Sequence, residues 1–291
     1  MLARAFRGRA RGFYIDVGAM DPVIDSVTQY FYTLGWHGIN VEPSAQHFRR
    51  LAEARQQDLN LNVALGEREE VRDFFDVPDS GLSSLDDNLA PAAATVPGMR
   101  VTTLAKIWAE HVGGRTVDFL KIDVEGWERQ VIAGGDWRRF RPRIVLVEAT
   151  RPNSPEPAWA EWEPILLESA YLFAWFDGLN RFYVRGEEAE LLRHFTVPPN
   201  VFDNFVRWNA EQLKRDLDSA RAEHARLSEA HLRLLEEYNR MREGHVRLVD
   251  ELGRTAAELE AVHRSTSWRL TAPLRWLARQ LGRSGPGERR P

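Results

Sequence analysis

The sequence predicts an α/β fold: a mostly parallel sheet that ends in an antiparallel β-hairpin, followed by one long coiled-coil helix. Three observations predict it. From Phe13 to about Tyr183 short apolar runs alternate with helix-like stretches, the pattern of a sheet built by βα units. Two runs at the end of that region, "YLFAWF" and "RFYVR", are separated only by "DGLN", a hairpin spacing. Residues 209–262 then contain no proline and keep an unbroken 4-3 apolar spacing over seven heptads.

The first strand is "FYIDV", and the basic start before it, "MLARAFRGRARG", lacks the apolar core and cleavage site of a signal peptide. "HGINVE", "NLNVAL", "VDFLKIDV" and "RIVLVEA" follow as strands before the hairpin. Phe74 to Pro97 is polar and rich in Pro and Ala, which predicts a long loop or insertion near the ligand. With Leu213 as position d, the d seam runs through Ala220, Leu227, Leu234, Met241, Leu248, Thr255 and Val262. The a seam runs through Leu217, His224, His231, Tyr238, His245, Leu252 and Leu259. Its histidines are expected to be tolerated near the ends of a weak coil, the alternative being a seam that loosens when they are protonated. An isolated seam of that length would be left wet, so a homo-oligomer through residues 209–262 is expected.

From Arg264 onward seven Arg stand against one acid, Glu288. Leu270, Leu274, Leu277 and Leu281 fall on one helical stripe flanked by Trp268 and Trp276. That predicts a basic amphipathic helix that docks on an anionic membrane surface or on a protein partner. The expected divisions are therefore an α/β domain over 1–208, a coiled coil over 209–263 and a tail over 264–291.

Composition narrows the function classes. With 291 residues, 43% of them hydrophobic, the chain can bury a substantial core. A net charge of −4 argues against nucleic acid as a partner. The absence of cysteine removes disulfides, thiolate metal sites and thiol nucleophiles. No apolar run reaches the roughly 18 residues of a membrane span. The expected location is the cytoplasm, peripheral at the inner membrane face.

Ligands of an open α/β sheet sit at the carboxyl ends of its strands. Asp16, Gly18, Ala19 and Met20 lie where the first strand ends, and Gly18 permits tight turning and close backbone approach. Glu42 closes the second strand, where a carboxylate can accept both hydroxyls of a ribose. The turn is not a full G-x-G-x-x-G, and it continues "AMDPVID". Carboxylates at Asp16 and Asp21 around a single glycine suit a cationic amino-acid ligand, S-adenosylmethionine (SAM), better than the diphosphate of NAD.

"FYIDVGAMDPVIDSVT", "GWHGINVEPS", "DSGLSSLD", "FLKIDVEGWE", "RPRIVLVEAT" and "FDGLNRFYV" occur in this order between about Gly12 and "PPNVFDNFV". The ordered set resembles the FkbM family of SAM-dependent methyltransferases. That resemblance implies a Rossmann-like class I methyltransferase sheet and methyl transfer to an oxygen of a sugar, polyketide or related hydroxylated acceptor. It implies that Asp16, Gly18 and Glu42 hold the cofactor and that Asp123 and Glu125 of "DVEG" stand beside the transferred methyl. The first motif departs from the commoner "DVGANxG" at Met20 and Pro22. "STSWRLTAPLR", residues 265–275, is similar to a segment met at the ends of bacterial glycan-assembly proteins. This second likeness implies a glycan acceptor in surface polysaccharide biosynthesis and a glycan-assembly partner for the tail.

A sugar hydroxyl is a poor nucleophile at neutral pH, so a general base or an acidifying metal would help. Strand order disfavours the histidines: His37 precedes the second strand, His111 precedes the fourth, and His47 lies on the helix after the second. Carboxylates collect at the correct edge instead. Asp123 and Glu125 follow the fourth strand, Glu148 ends the fifth and Asp177 ends the sixth. Asp123 or Glu125 is expected to be the base, or the pair to help hold a divalent cation. Glu148, Asp177 and Asn180 are expected to meet the acceptor, while Trp36 and Trp127 are expected to be packing residues. Two other readings stay open: a non-catalytic scaffold that organises glycan-assembly enzymes through its coil, and an NAD-dependent sugar-modifying enzyme.

Overall fold

In this computed structural model residues 1–77, 82–86, 94–203 and 208–282 are described, and the chain divides into two units, Met1–Phe205 and Val206–Pro291. The strands described are β1 (Phe13–Val17), β2 (His37–Val41), β3 (Leu59–Leu61), β4 (Ala64–Leu65), β5 (Glu70–Asp76), β6 (Ala94–Thr102), β7 (Phe119–Ile122), β8 (Ile144–Glu148), β9 (Tyr171–Phe176) and β10 (Asn180–Arg185). Seven of them form one sheet in the order β3-β2-β1-β7-β8-β10-β9. Pairing is parallel from β3 to β8, and β10 runs antiparallel to both β8 and β9. This is the mostly parallel sheet with a terminal hairpin that the alternation predicted.

All five residues of β1 are buried because both faces of the sheet are covered. Ile15 and Val17 pack on one side with Val41, Ile122 and Val147, and Tyr14 packs on the other with Phe31, Trp36 and Phe119. Trp36 is fully buried, its ring 4.8 Å from Phe31 and 5.4 Å from Phe6, which makes it the packing residue expected.

Two expectations are corrected in this unit. "NLNVAL" is not one strand: β3 pairs with β2, and β4 pairs with β6 in a second, three-stranded sheet. Asn62 turns the chain between them by donating to the carbonyls of Glu42 and Pro43, both at 2.9 Å. Phe74 to Pro97 is also not loop throughout, since its two ends are strand, in β5 and β6, which pair antiparallel. Alternation around Phe74, which is buried against Ala64, Leu85 and Val101, was hidden by the charged residues on the exposed face. Residues 78–81 and 87–93 of that expected loop, including the start of "DSGLSSLD", lie outside the described residues.

In the second unit one helix covers Trp208–Arg264, 57 residues, or about 85 Å at 1.5 Å per residue. Ion pairs one turn apart support it, among them Glu229–Arg233 at 2.6 Å and Glu260–Arg264 at 2.9 Å. Both seams are exposed, with Leu227, Leu234, Leu248 and Leu252 each more than 60% accessible. The tail is not a single helix. Ser265 caps a short helix, Thr266–Leu270, by accepting from the Trp268 N–H, and a second helix covers Ala272–Gly282. Pro273 breaks the run because it has no N–H to offer the preceding turn. Leu270 therefore sits on a different helix from Leu274 and Leu277. The Leu281 side chain and residues 283–291 lie outside the described residues. No described helix is long and apolar enough to cross a membrane.

Candidate active site

The order of the main sheet reverses between β1 and β7, and a cleft opens at their carboxyl ends, where such sheets bind ligands. It encloses about 660 Å³ of empty space, its open mouth included. Gly18, Glu42, Asp123 and Glu125 line it from the strand ends, and Phe74 and Leu85 form a wall from beside the second sheet. Ala19 is buried behind the turn, where its N–H meets the Val41 carbonyl.

Gly18 has φ +75° and is clamped on three sides. Its N–H donates to the Val41 carbonyl at 3.0 Å, and its carbonyl accepts from Lys121 Nζ at 3.0 Å. A Cβ built on it would lie 1.7 Å from the Asp123 carbonyl oxygen. The glycine thus serves backbone-to-backbone contact between the first turn and the "DVEG" loop. Met20, where the commoner motif has Asn, also adopts a left-handed conformation (φ +49°), which a branchless Met tolerates less readily than Asn. The Met20 N–H donates to Glu42 Oε2 and the Ser44 N–H to Glu42 Oε1, both at 2.8 Å. Glu42 therefore organises the turn as well as facing the cleft.

Lys121 is the residue that sequence reading missed. It stands beside Asp16 in the β1–β7 register, nearly fully buried, with Nζ 3.3 Å from Asp16 Oδ1 and 3.2 Å from Asp123 Oδ2. Burial alone would lower its pKa, but Asp123 and Asp16 more than offset this and hold it raised. Thr28 donates to the other oxygen of Asp16 at 2.9 Å. Asp16 is thus buried behind the cleft rather than lining it. Asp21 caps its own turn through the N–H groups of Val23 and Ile24 and lies 3.8 Å from Arg50. The negative field expected from Asp16 and Asp21 is therefore locally balanced, and the carboxylates that face the cleft are Glu42, Asp123 and Glu125. No lysine or arginine is among the described residues lining it.

The "DVEG" loop turns through two left-handed residues and is tied down by Glu128. Glu125 has φ +52° and Gly126 φ +90°. Glu128, at the start of the helix Glu128–Ala133, accepts from the N–H groups of Val124 and Gly126, both at 3.1 Å, and Ser84 Oγ donates to the Glu125 carbonyl at 3.0 Å. Burial, with Asp123 and Glu128 nearby, pushes the Glu125 carboxyl up to about 7. Glu148 joins this group: its carboxyl lies against Asp123, and burial together with Asp123 and Glu125 raises its pKa strongly. The hairpin residues do not join. Asp177 Oδ1 accepts from the N–H groups of Leu179 and Asn180 within the turn, and Asn180 sits opposite Glu148 in register without lining the cleft.

Further lining residues went unread. His47 reaches the cleft from the first turn of the helix Ala45–Ala54, although strand order had set it aside. Trp127, expected only to pack, lines the cleft with the Arg72 guanidinium 4.8 Å from its ring. Arg55, fully buried, straps the first turn by donating to the Pro22 carbonyl from Nε and Nη2 at 3.0 and 2.6 Å. A lone basic residue in an apolar run marks Lys121; nothing in the local pattern marks Arg55.

Glu42 gives a pH prediction. Burial raises its carboxyl from 4.5 to about 7, against the Met20 and Ser44 N–H bonds, which lower it. The folded state therefore binds the extra proton, and stability falls as pH climbs from about 4.5 to about 7. The loss is on the order of 3 kcal/mol. Thermal melts of the ligand-free protein at pH 5 and pH 8 should show it more stable at the lower pH, and Glu42→Gln should flatten part of that difference.

Comparisons with known proteins bear on this site. The family model described as "Methyltransferase FkbM domain" matches residues 16–173, more than half of the chain. No curated protein matches the chain. Among solved structures, a methyltransferase FkbM from Methylobacillus flagellatus is 15% identical with a TM-score of 0.37, over 60% of this chain and 44% of that one. A TehB-like SAM-dependent methyltransferase from Corynebacterium glutamicum is 8% identical with a TM-score of 0.37, over 63% of this chain and 85% of that one. The fibrillarin pre-rRNA processing protein of Methanococcus jannaschii is 11% identical with a TM-score of 0.34, over 61% and 67%. This chain thus spans less than half the length of the Methylobacillus protein.

Proposed function

The chain belongs to the FkbM methyltransferase domain family, and from that premise we propose that it is a SAM-dependent O-methyltransferase acting on a sugar or related hydroxylated acceptor in cell-surface polysaccharide biosynthesis. The observation that carries this reading is the charge of the cleft: acidic residues at three strand-end positions and no lysine or arginine among the described lining residues. Such a lining favours a sulfonium and an ammonium and disfavours a diphosphate. Glu42 would hold the ribose, the backbone around Gly18 the amino-acid end, and Phe74 and Leu85 the apolar flank of the adenine. When bound, SAM supplies the methyl group: the S–CH3 bond breaks with its electron pair staying on sulfur as the acceptor oxygen bonds to carbon. The residues supply alignment and removal of the hydroxyl proton. Asp123 or Glu125 would take that proton.

Calorimetry with SAM, its demethylated product and NAD tests the reading. SAM and product should bind and NAD should not; heat with NAD alone would favour the dinucleotide enzyme, and no heat with any of the three a scaffold. Labelled SAM incubated with a cell-envelope glycan extract should then mark the acceptor fraction. Asp123→Asn and Glu125→Gln should cut turnover while SAM binding persists.

The long helix adds self-association to the same proposal. Two parallel copies in register would bury the a and d seams and bring Asp216 against Arg221 and Glu237 against Arg242, while no g-to-e′ step pairs like charges. Such pairing would gather catalytic units beside a polymer end. Leu227→Glu with Leu234→Glu removes two seam residues worth roughly 1.5–3 kcal/mol each when buried. Light scattering should then read a monomer where the parent chain gives an oligomer, and an unchanged mass would rule out this seam. The tail is proposed to dock at a membrane surface or a glycan-assembly partner, and co-sedimentation with anionic liposomes, with and without residues 264–291, separates the two.

A further inference from the structure

We infer that Asp123, Glu125 and Glu148 form a binding site for one hard divalent cation, of the magnesium or manganese class, at the reacting end of the cleft. One carboxylate oxygen from each of the three lies within 4.8 Å of the others. They come from two adjacent strand ends: Asp123 and Glu125 follow β7, and Glu148 closes β8.

Two further observations separate this group from an ordinary acidic patch. Glu148 is 7% exposed, and its Oε2 is buried with no hydrogen-bond donor facing it. A buried carboxylate oxygen with no donor is costly, and the carboxylates beside it can only accept while they are ionised. A cation bound by the three would satisfy that oxygen. The loop is also built to hold the arrangement, since Glu125 is kept at φ +52° by Glu128, which accepts from Val124 and Gly126, and by Ser84 on the Glu125 carbonyl.

The ligand chemistry selects the ion. Three carboxylates with no imidazole or sulfur favour a hard cation that takes oxygen ligands and keeps positions open to water or substrate. Lys121 does not fill this role, because its Nζ holds Asp123 through Oδ2 and lies on the Asp16 side. The catalytic consequence rests on the methyl-transfer reading above. An acceptor hydroxyl on the open face of the ion would be acidified and its proton released to solvent water, with its oxygen then forming the bond to the methyl carbon. Neighbouring hydroxyls that chelate the ion, as in a sugar diol, would be preferred acceptors.

The test is titration of the full, chelator-treated chain with Mn²⁺, followed by electron paramagnetic resonance and calorimetry, with SAM titrated separately. One Mn²⁺ per chain is expected, displaced by Mg²⁺. Glu148→Gln, Asp123→Asn and Glu125→Gln should each weaken Mn²⁺ binding at least as much as the roughly 10–100-fold seen when a mere supporting partner of a metal ligand is lost. Glu125→Gln, at a partly exposed position, keeps the test meaningful if a buried substitution unfolds the chain. No Mn²⁺ uptake up to about millimolar concentration, where even weak oxygen-ligand sites fill, would overturn the inference, as would uptake indifferent to all three substitutions. SAM binding without Mn²⁺ binding would remove the ion and leave the methyltransferase; cluster-dependent Mn²⁺ binding without SAM binding would do the reverse.

Discussion

Gly18→Ala is expected to destabilise the first unit by roughly 2–4 kcal/mol, combining a left-handed backbone penalty with overpacking against a neighbour that cannot yield. The neighbour is the Asp123 carbonyl, 1.7 Å from the added carbon. Relief by movement is blocked on each side. The Gly18 N–H is tied to Val41, its carbonyl to Lys121, and the Asp123 N–H to the Val17 carbonyl at 3.1 Å. For a unit of about 200 residues that energy corresponds to a melting temperature lower by roughly 5–15 °C. Because the backbone around Gly18 is proposed to hold the amino-acid end of SAM, SAM binding should be lost with it. Gly35→Ala provides the control: Gly35 also has a positive φ, +84°, but nothing lies within 4 Å of an added Cβ. Its cost should stay near 1 kcal/mol, the backbone penalty alone. Equal melting temperatures for the two variants would show that the contact with Asp123 does not matter.

Legibility of the fold followed the strength of each periodic signal. β1 and β9 match the predicted runs to the residue, and the helix over Trp208–Arg264 follows directly from an unbroken heptad without proline. The second sheet was hidden because β5 buries little beyond Phe74 and presents Glu70, Arg72 and Asp73 outward, so that it reads as polar loop. Of the candidates placed by the strand-end rule, Gly18, Glu42, Asp123 and Glu125 line the cleft, because topology alone fixes which edge of a parallel sheet meets ligand. The same rule missed His47, which reaches the cleft from a helix. It also misjudged Asp16, because charge balance depends on the cross-strand partner: sequence shows Asp16 and Lys121 far apart, and only the β1–β7 register places them side by side. Asp177 stays out of the cleft lining for a different reason, since a carboxylate at a hairpin corner can be taken up by the N–H groups of its own turn.

Lys121→Met should cost about 3–5 kcal/mol, the usual penalty for removing one partner of a buried ion pair. The side chain fits by length, so the loss would come from charge: among the described residues Asp16, 1% exposed, would keep only the Thr28 hydroxyl as a donor, and Asp123 would lose the group that fixes its orientation. A second substitution separates this account from a packing defect. In Lys121→Met with Asp16→Asn the stranded charge is gone, so the double variant should recover most of the stability lost in the single one, measured by urea denaturation. Additive losses would mean that Lys121 and Asp16 do not act as a pair, since residues in direct contact are expected to couple by about 0.5–3 kcal/mol. Turnover should not return with stability. Asp123 would still lack its ammonium partner, and the Gly18 carbonyl would still lack its donor, so the side-chain link between the two halves of the cleft would remain broken in a chain that folds. A stable double variant with low turnover would thus assign Lys121 the task of joining the first turn to the "DVEG" loop, a positioning role that neither strand reveals alone.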